Sequence, residues 1–416
     1  MARAAAGLTA AGEAQSSILR FLESARQPAL LEPGEDVLEL TGANHALELR
    51  EARLVLEAWT ERRSLARRIL RVVEQQPGRL ELKVERFPRR EGSLFLIDLG
   101  RPAGQALERR GARMIFRERF RQMLSRHFPG WSLAELTTEP DLEHSLSPAY
   151  PRALLRSGSR QCAAIAAPRG SDTDGVLTFG LIWLDYLRRR ERQSGVEALA
   201  VFAPIGHQLT TALRLRCLDP AAARFHLFAY SREDFAAPVD LADAGNLKTK
   251  LRPARSTAML QDAAGPEALL ESQVRAAIET LDPRLVPEPV YRQTPAIAGA
   301  ERGILDLLAI DRDGRLAVLE LKASADIHLP LQALDYWVRV KWHLERGDFA
   351  RNGYFPNLPV RREDPRLLLI SPALEFHSST GGILRFFAPD LDVESIGLGL
   401  EWQRGIQILF RRSKAR

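Results

Sequence analysis

The stretch Leu305–Ser324, LDLLAIDRDGRLAVLELKAS, sets Asp306, Glu320 and Lys322 into two apolar runs joined by the segment DRDGR. Charged side chains are among the least often buried unless they are paired or used. Two carboxylates brought together make an oxygen-rich site for a hard divalent cation, and Mg2+ is commonly held by one or two carboxylates, several waters and a substrate phosphate. Such an ion activates water and stabilises charge on a phosphodiester under attack. A lysine beside the carboxylates positions or deprotonates that water, or offsets the developing charge. The trio therefore suits phosphodiester hydrolysis. The competing reading is a buried ion network inside a core hairpin, a contact whose attraction seldom offsets its desolvation.

Whether the three groups meet depends on the turn. A three-residue hairpin loop, Arg312-Asp313-Gly314, would place Gly314 in the left-handed position, with Asp311 and Arg315 flanking it. In that register Asp306 falls opposite Glu320, and Lys322, two residues on, shares the face of Glu320. A two-residue Asp313-Gly314 turn would slip the register by one and send Asp306 to the other face. A helix over Pro266–Leu281 precedes the hairpin. A second helix over Pro330–Arg346 follows it, with Pro330 in the first turn and Gly347 just past the end. Strand RLLLISPAL, Arg366–Leu374, comes next, and short strands are expected around Ile383–Phe387 and Gly405–Arg411.

The chain of 416 residues is 45% hydrophobic and 27% charged, an ordinary globular composition with room for two or three domains. Residues 1–104 read as a small, mostly β domain: a helix at Ile18–Ala25, then strands LVLEAWTE, GRLELKVERF and SLFLIDLG, the last two joined through PRREG. Within it SLARRILRVVEQ, Ser64–Gln75, is a short basic helix or a strand. Residues 105–235 read as α/β, with a helix at Arg113–His127, strand CAAIAAP, a helix at Thr178–Arg192, and strands VEALAVFAP, TTALRLRCL and HLFAYS. Residues 236–265 look like a linker. Residues 266–416 repeat the α/β order. Both α/β regions carry an LDY tripeptide on the second helix, Leu184–Tyr186 and Leu334–Tyr336, followed by a strand ending in a small residue and proline. An internal duplication accounts for this parallel. The middle strand, AIAAPRGS, has no glutamate or lysine where the hairpin has ELK; Arg169 is a poor stand-in.

The pattern ILD(x13)ELK on such a hairpin resembles the PD-(D/E)xK nuclease superfamily, in the style of NucS-type endonucleases and related repair nucleases. The resemblance covers about 266–375. It implies a restriction-endonuclease-like mixed sheet flanked by helices at the C-terminus, a degenerate nuclease-like middle domain, and metal-dependent DNA endonuclease activity in repair or defence. By the same resemblance Asp306 and Glu320 hold Mg2+, with Mn2+ able to substitute, and Lys322 handles the attacking water. Glu271, or alternatively Glu267, assists from the preceding helix. The family's QxxxY variant is matched by Gln332 and Tyr336, with Arg339 and His343 continuing their face. Leu305 stands where the family often has proline before the first acid. A non-catalytic nucleic-acid-binding or assembly protein is the rival reading, and RNA as substrate is a further one.

The net charge is +6 and the pI about 9.6. Residues 60–126 carry 18 Lys and Arg against 8 Asp and Glu, an imbalance that fits a polyanionic partner or a solvated arginine-rich surface. On a helix, Arg62, Arg63, Arg67, Arg68 and Arg71 would cluster on one side as candidate phosphate contacts. No stretch is long and apolar enough to cross a membrane and the first residues lack a signal-peptide core, so a cytoplasmic protein is expected. Cys162 and Cys217 are too few for a thiolate metal site and read as small core residues. With no GxxxxGK[ST], HExxH or GxSxG motif, a helicase or repair factor would be a separate partner. A homodimer is a candidate assembly.

Overall fold

The structure is a computed structural model. It describes residues 2–50, 53–60, 63–86, 90–191, 195–231, 236–243, 249–251, 265–298 and 301–414. For 2–10, 50, 63, 86, 243, 249–250, 293–298 and 301–306 only the backbone is described. The chain divides into two compact units, Met1–Arg126 and His127–Arg416.

The first unit opens with helix α1, Ala2–Ser24. Strands β1 (Pro28–Leu31), β2 (Leu38–Glu39), β3 (His45–Arg50), β4 (Arg53–Thr60), β5 (Arg63–Gln76), β6 (Arg79–Arg86) and β7 (Arg90–Asp98) follow, then helix α2, Pro102–His127. The seven strands form one antiparallel sheet in the order β2-β1-β7-β6-β5-β4-β3. Helix α1 lies on it because Ala11, Ala14, Ile18 and Phe21 recur at helical spacing. They pack over the alternate residues Leu54 and Leu56 of β4 and Leu65 and Ile69 of β5, in the same core as Leu80, Leu82, Val84, Leu94 and Leu96 of β6 and β7. SLARRILRVVEQ belongs to β5, so its arginines do not share a helical face.

The second unit contains β8 (Ser132–Thr137), β9 (Arg152–Ser157), β10 (Arg160–Ala166), helix α3 (Thr173–Arg190), β11 (Val196–Pro204), helix α4 (Gln208–Leu215), β12 (Arg224–Tyr230) and β13 (Ala237–Pro238). It continues with β14 (Thr249–Leu251), helices α5 (Pro266–Ala276) and α6 (Ile278–Leu281), β15 (Tyr291–Ala298), β16 (Glu301–Ile310) and β17 (Leu316–Leu321). Helices α7 (Leu329–Glu345) and α8 (Asp348–Arg351), β18 (Arg366–Pro372), helix α9 (Thr380–Leu384), β19 (Val393–Leu398) and β20 (Ile408–Ser413) complete it.

Two mixed sheets result, β13-β12-β11-β10-β9-β8 and β14-β15-β16-β17-β18-β19-β20. From β8 to β13 successive pairings are antiparallel, antiparallel, parallel, parallel, antiparallel. From β15 to β20 the sequence of pairings is the same. One apolar core runs from Ile165 and Val201 of the first of these sheets, through Leu181, Leu215, Leu334 and Ile383 on the helices, to Leu308, Val318 and Leu369 of the second. The other face of the second sheet, Leu307, Ala309, Leu319 and Ile370, packs against Leu270 and Val274 of α5 and Ile278 and Leu281 of α6.

Several segments differ from the sequence expectation. TTALRLRCL is not a strand but falls in α4 and the turn after it, because Thr211, Ala212, Leu215 and Leu218 form a buried helical face. Ile383–Phe387 likewise begins within α9, where Ile383, Leu384 and Phe387 point inward together. Strand β19 was not expected at all. It is buried along its whole length despite Glu394, Ser395 and Gly397, and a Cβ at Gly397 would collide with the Phe410 ring. Between 236 and 265, where a linker was expected, β13 and β14 add edge strands to their sheets. Residues 244–248 and 252–264 lie outside the described residues.

Candidate active site

The β16–β17 turn is closed by the Asp311 amide donating to the Arg315 carbonyl (2.8 Å) and the Gly314 amide donating to the Asp311 carbonyl (3.0 Å). Asp311 Oδ1 accepts from the amides of Asp313 and Arg315. Gly314 has φ +90°, the left-handed conformation a three-residue loop requires at that place. The register that follows pairs Ile310 with Leu316, Leu308 with Val318 and Leu307 with Leu319. One step further along it stand Asp306 and Glu320. The side chain of Asp306 lies outside the described residues; its backbone is part of β16.

Glu320 is 2% exposed. Its strand is central, held by β16 on one side and by Leu369 of β18 on the other. Strand alternation turns Glu320 toward the face of Leu316 and Val318, the face that α7 covers. Lys322 follows the strand, its amide donating to the Ile370 carbonyl (3.0 Å). The Lys322 ammonium, 17% exposed, lies 3.6 Å from Asp326 Oδ2 and 3.8 Å from Glu267 Oε1. Asp326 also accepts from the His328 amide (2.8 Å), and Glu375 accepts from the Ala325 amide (3.0 Å), which fixes the loop into α7. Sequence reasoning missed Asp326 and Glu375. Asp326 had one available signal: an Asp-x-His step just before a helix opened by Leu-Pro.

Helix α5 presents its two glutamates differently. Glu267 reaches Lys322. Glu271, one turn on, is buried and accepts from Arg292 Nε at 2.5 Å. Arg292 stands opposite Leu307 on β15, so this pair occupies the α5 face of the sheet, opposite the face of Glu320. Gln332, Tyr336 and Arg339 line one side of a cavity of about 280 Å3 whose other walls include Asp174 and Thr178 of α3 and Arg214 of α4. The guanidinium of Arg339 lies over the Tyr336 ring, 5.9 Å from its centroid. His343 does not continue that row as a surface group. It is buried, with Nδ1 2.7 Å from Asp348 Oδ2, and burial pushes it below the ordinary imidazole value despite that carboxylate. Burial likewise depresses His328, against the pull of Asp326.

In the first unit, Arg62 lies outside the described residues and only the backbone of Arg63 is described. Arg67 makes two 2.9 Å hydrogen bonds to the buried carboxylate of Glu32, and Arg68 pairs with Glu85 at 3.0 Å. Arg71 is exposed opposite Lys83. Of the five arginines, the structure therefore commits Arg67 to holding Glu32.

Among the described residues no group of three or more His, Cys, Asp or Glu side chains is arranged to hold a metal ion, and no helix is long and apolar enough to cross a membrane. Compared with family models, with curated proteins and with solved structures, the chain matches none of them.

Proposed function

We propose that this chain is a divalent-metal-dependent phosphodiesterase acting on DNA as an endonuclease, with its site at the open end of the β16–β17 hairpin. The observation that carries the reading is the register, which sets the Asp306 position against a buried Glu320 with Lys322 two residues further on. The donor set suits Mg2+ or Mn2+: hard carboxylate oxygens from two adjacent strands, beside an ammonium. Asp306 and Glu320 would hold the ion, which supplies Lewis acidity toward a phosphate and its attacking water. Lys322 would sit against a phosphate oxygen and offset charge as it develops. Glu267 and Asp326 hold that ammonium in place. Gln332 and Tyr336, one turn apart on α7, would orient the phosphate or the water. In the reaction a water oxygen bonds to phosphorus as the phosphorus–oxygen bond to the leaving hydroxyl breaks. The protons end on that hydroxyl and in solvent.

Cleavage of a panel of single-stranded, flapped, mismatched and duplex DNAs and of matched RNAs tests this, with Mg2+ or Mn2+ and with EDTA. Asp306→Ala, Glu320→Gln and Lys322→Ala should each lower cleavage at least about a hundredfold, the scale of losing one electrostatic group at a reacting centre. Equal activity in all four proteins would remove the assignment. A second reading, nucleic-acid binding without turnover, is favoured by the engagement of Glu271 with Arg292. It expects salt-sensitive binding that ignores both divalent metal and Glu320→Gln.

A further inference from the structure

The two sheets of the second unit share more than a pairing order. The Lys322 amide donates to the Ile370 carbonyl (3.0 Å) and the Ala167 amide donates to the Phe202 carbonyl (2.9 Å). Ile370 precedes Ser371-Pro372, and Phe202 precedes Ala203-Pro204. Lys322 thus corresponds to Ala167 and Glu320 to Ile165. Ile165 is paired across β9 with Arg152, which therefore occupies the place of Asp306. The helices follow the same correspondence through LDY, with Asp185 matching Asp335 and Thr178 matching His328.

Corresponding residues also touch each other, as they must on a two-fold axis. His328 Nδ1 lies 3.1 Å from Thr178 Oγ1. Leu218 and Phe387, each just past the short helix of its half, form an antiparallel bridge. Its two bonds are images of each other: Asp219 amide to Phe386 carbonyl and Ala388 amide to Cys217 carbonyl, both 2.8 Å. Helix α3 packs on α9 while α7 packs on α4. Each LDY aspartate binds an arginine of the other half, Asp335 with Arg214 and Asp185 with Arg385.

The half that carries Arg152 is closed to a metal. Arg152 is 2% exposed, and its guanidinium donates to the carbonyls of Ser147 (2.6 Å), Tyr150 (3.2 Å) and Glu139 (2.6 Å). A fixed cation stands where the first acid would be, and Ile165 and Ala167 replace the glutamate and lysine.

From this we infer that residues 127–416 are a fused pseudo-dimer with one competent half, and that the chain, acting as a monomer, cuts one strand of a duplex per binding event. The inference rests on the phosphodiesterase reading. A duplex aligned on the internal axis offers one backbone to Glu320 and Lys322 and its symmetry mate to Arg152 and Ile165. The hydrolysis described above then occurs once, leaving a nick. The face through which a second α7 and α9 would pair is already filled by α3 and α4.

Supercoiled plasmid with the full chain and Mg2+ separates the outcomes. Open circle should accumulate first, with linear DNA appearing only after a lag, and sedimentation should give one chain of 46.5 kDa. Glu320→Gln should abolish both products. Linear DNA rising without a lag alongside open circle, or a stable particle of two chains, overturns the pseudo-dimer inference alone. No cleavage by the wild-type chain, or cleavage that Glu320→Gln leaves unchanged, overturns the phosphodiesterase reading and this inference with it.

Discussion

Arg214 and Asp335 join the two halves of the second unit by a two-pronged contact, Nε to Oδ1 at 2.8 Å and Nη2 to Oδ2 at 2.6 Å. Arg214 also donates to the Asp174 carbonyl at 2.5 Å. The arginine side chain is 4% exposed and the aspartate 18%. Removing one member of a buried pair costs about 3–5 kcal/mol, because the other is left charged and unpaired. Arg214→Met leaves the better-solvated carboxylate but also deprives the Asp174 carbonyl of its donor, and Asp335→Leu leaves a nearly inaccessible guanidinium that keeps that one contact, so each is expected to cost about 3–5 kcal/mol. The double variant removes both charges and should lie within about 2 kcal/mol of wild type, the residue being mainly the Asp174 carbonyl left unmet. A coupling of roughly 4 kcal/mol or more follows, the two single losses together less that of the double variant. Urea unfolding by tryptophan fluorescence reads it, since Trp131, Trp183, Trp337, Trp342 and Trp402 lie in the second unit and only Trp59 in the first. Additive single losses under about 1 kcal/mol would refute the burial argument.

Three further outcomes are expected. Burial pushes the buried Asp282 carboxyl up, but hydrogen bonds from Arg284 and Arg366 outweigh it and hold it well below the ordinary carboxylate range. A depressed folded value stabilises above the unfolded value of about 3.9, with loss as the pH falls through the folded one. The melting-temperature gap between wild type and Asp282→Asn should therefore be full at pH 7 and shrink progressively as the pH falls below about 4; a pH-independent gap contradicts it. Gly314→Ala should cost about 2–5 kcal/mol, from the left-handed backbone and from a Cβ driven into the Pro359 carbonyl, and an unchanged melting temperature would argue against the turn. Burial pushes the Cys162 thiol up to about 12 and Cys217 up to about 11. A disulfide reagent at pH 8 should thus label the buried Cys162 only after unfolding and the partly buried Cys217 slowly in the folded chain, and rapid labelling of Cys162 in the folded chain would count against its burial.

The hairpin was legible because its determinants are local. DRDGR specifies a loop with glycine at one place, the loop specifies a register, and alternation does the rest. The long helices α3 and α7 were legible for a similar reason, their apolar residues recurring at helical spacing over many turns. Short segments were not. In TTALRLRCL the apolar residues fit both a strand and a helix, and the neighbouring α3, α7 and β12 decide which face is buried. In β19 the polar Glu394 is accommodated by Arg284, Arg366 and Arg411, partners distant in sequence.

At the site the division is the same. The types and spacing of Asp306, Glu320 and Lys322 are properties of one stretch of chain. The pairing of Glu271 with Arg292, the reach of Glu267 and Asp326 to Lys322, and the place of Arg152 in the other half are not. An ion pair depends on where two side chains end, and chain order does not carry that information when the partners come from different elements. The LDY repeat shows both limits together. Its recurrence is visible in the sequence, but its use is tertiary: each aspartate meets an arginine of the other half, and only the folded two-fold arrangement brings them together.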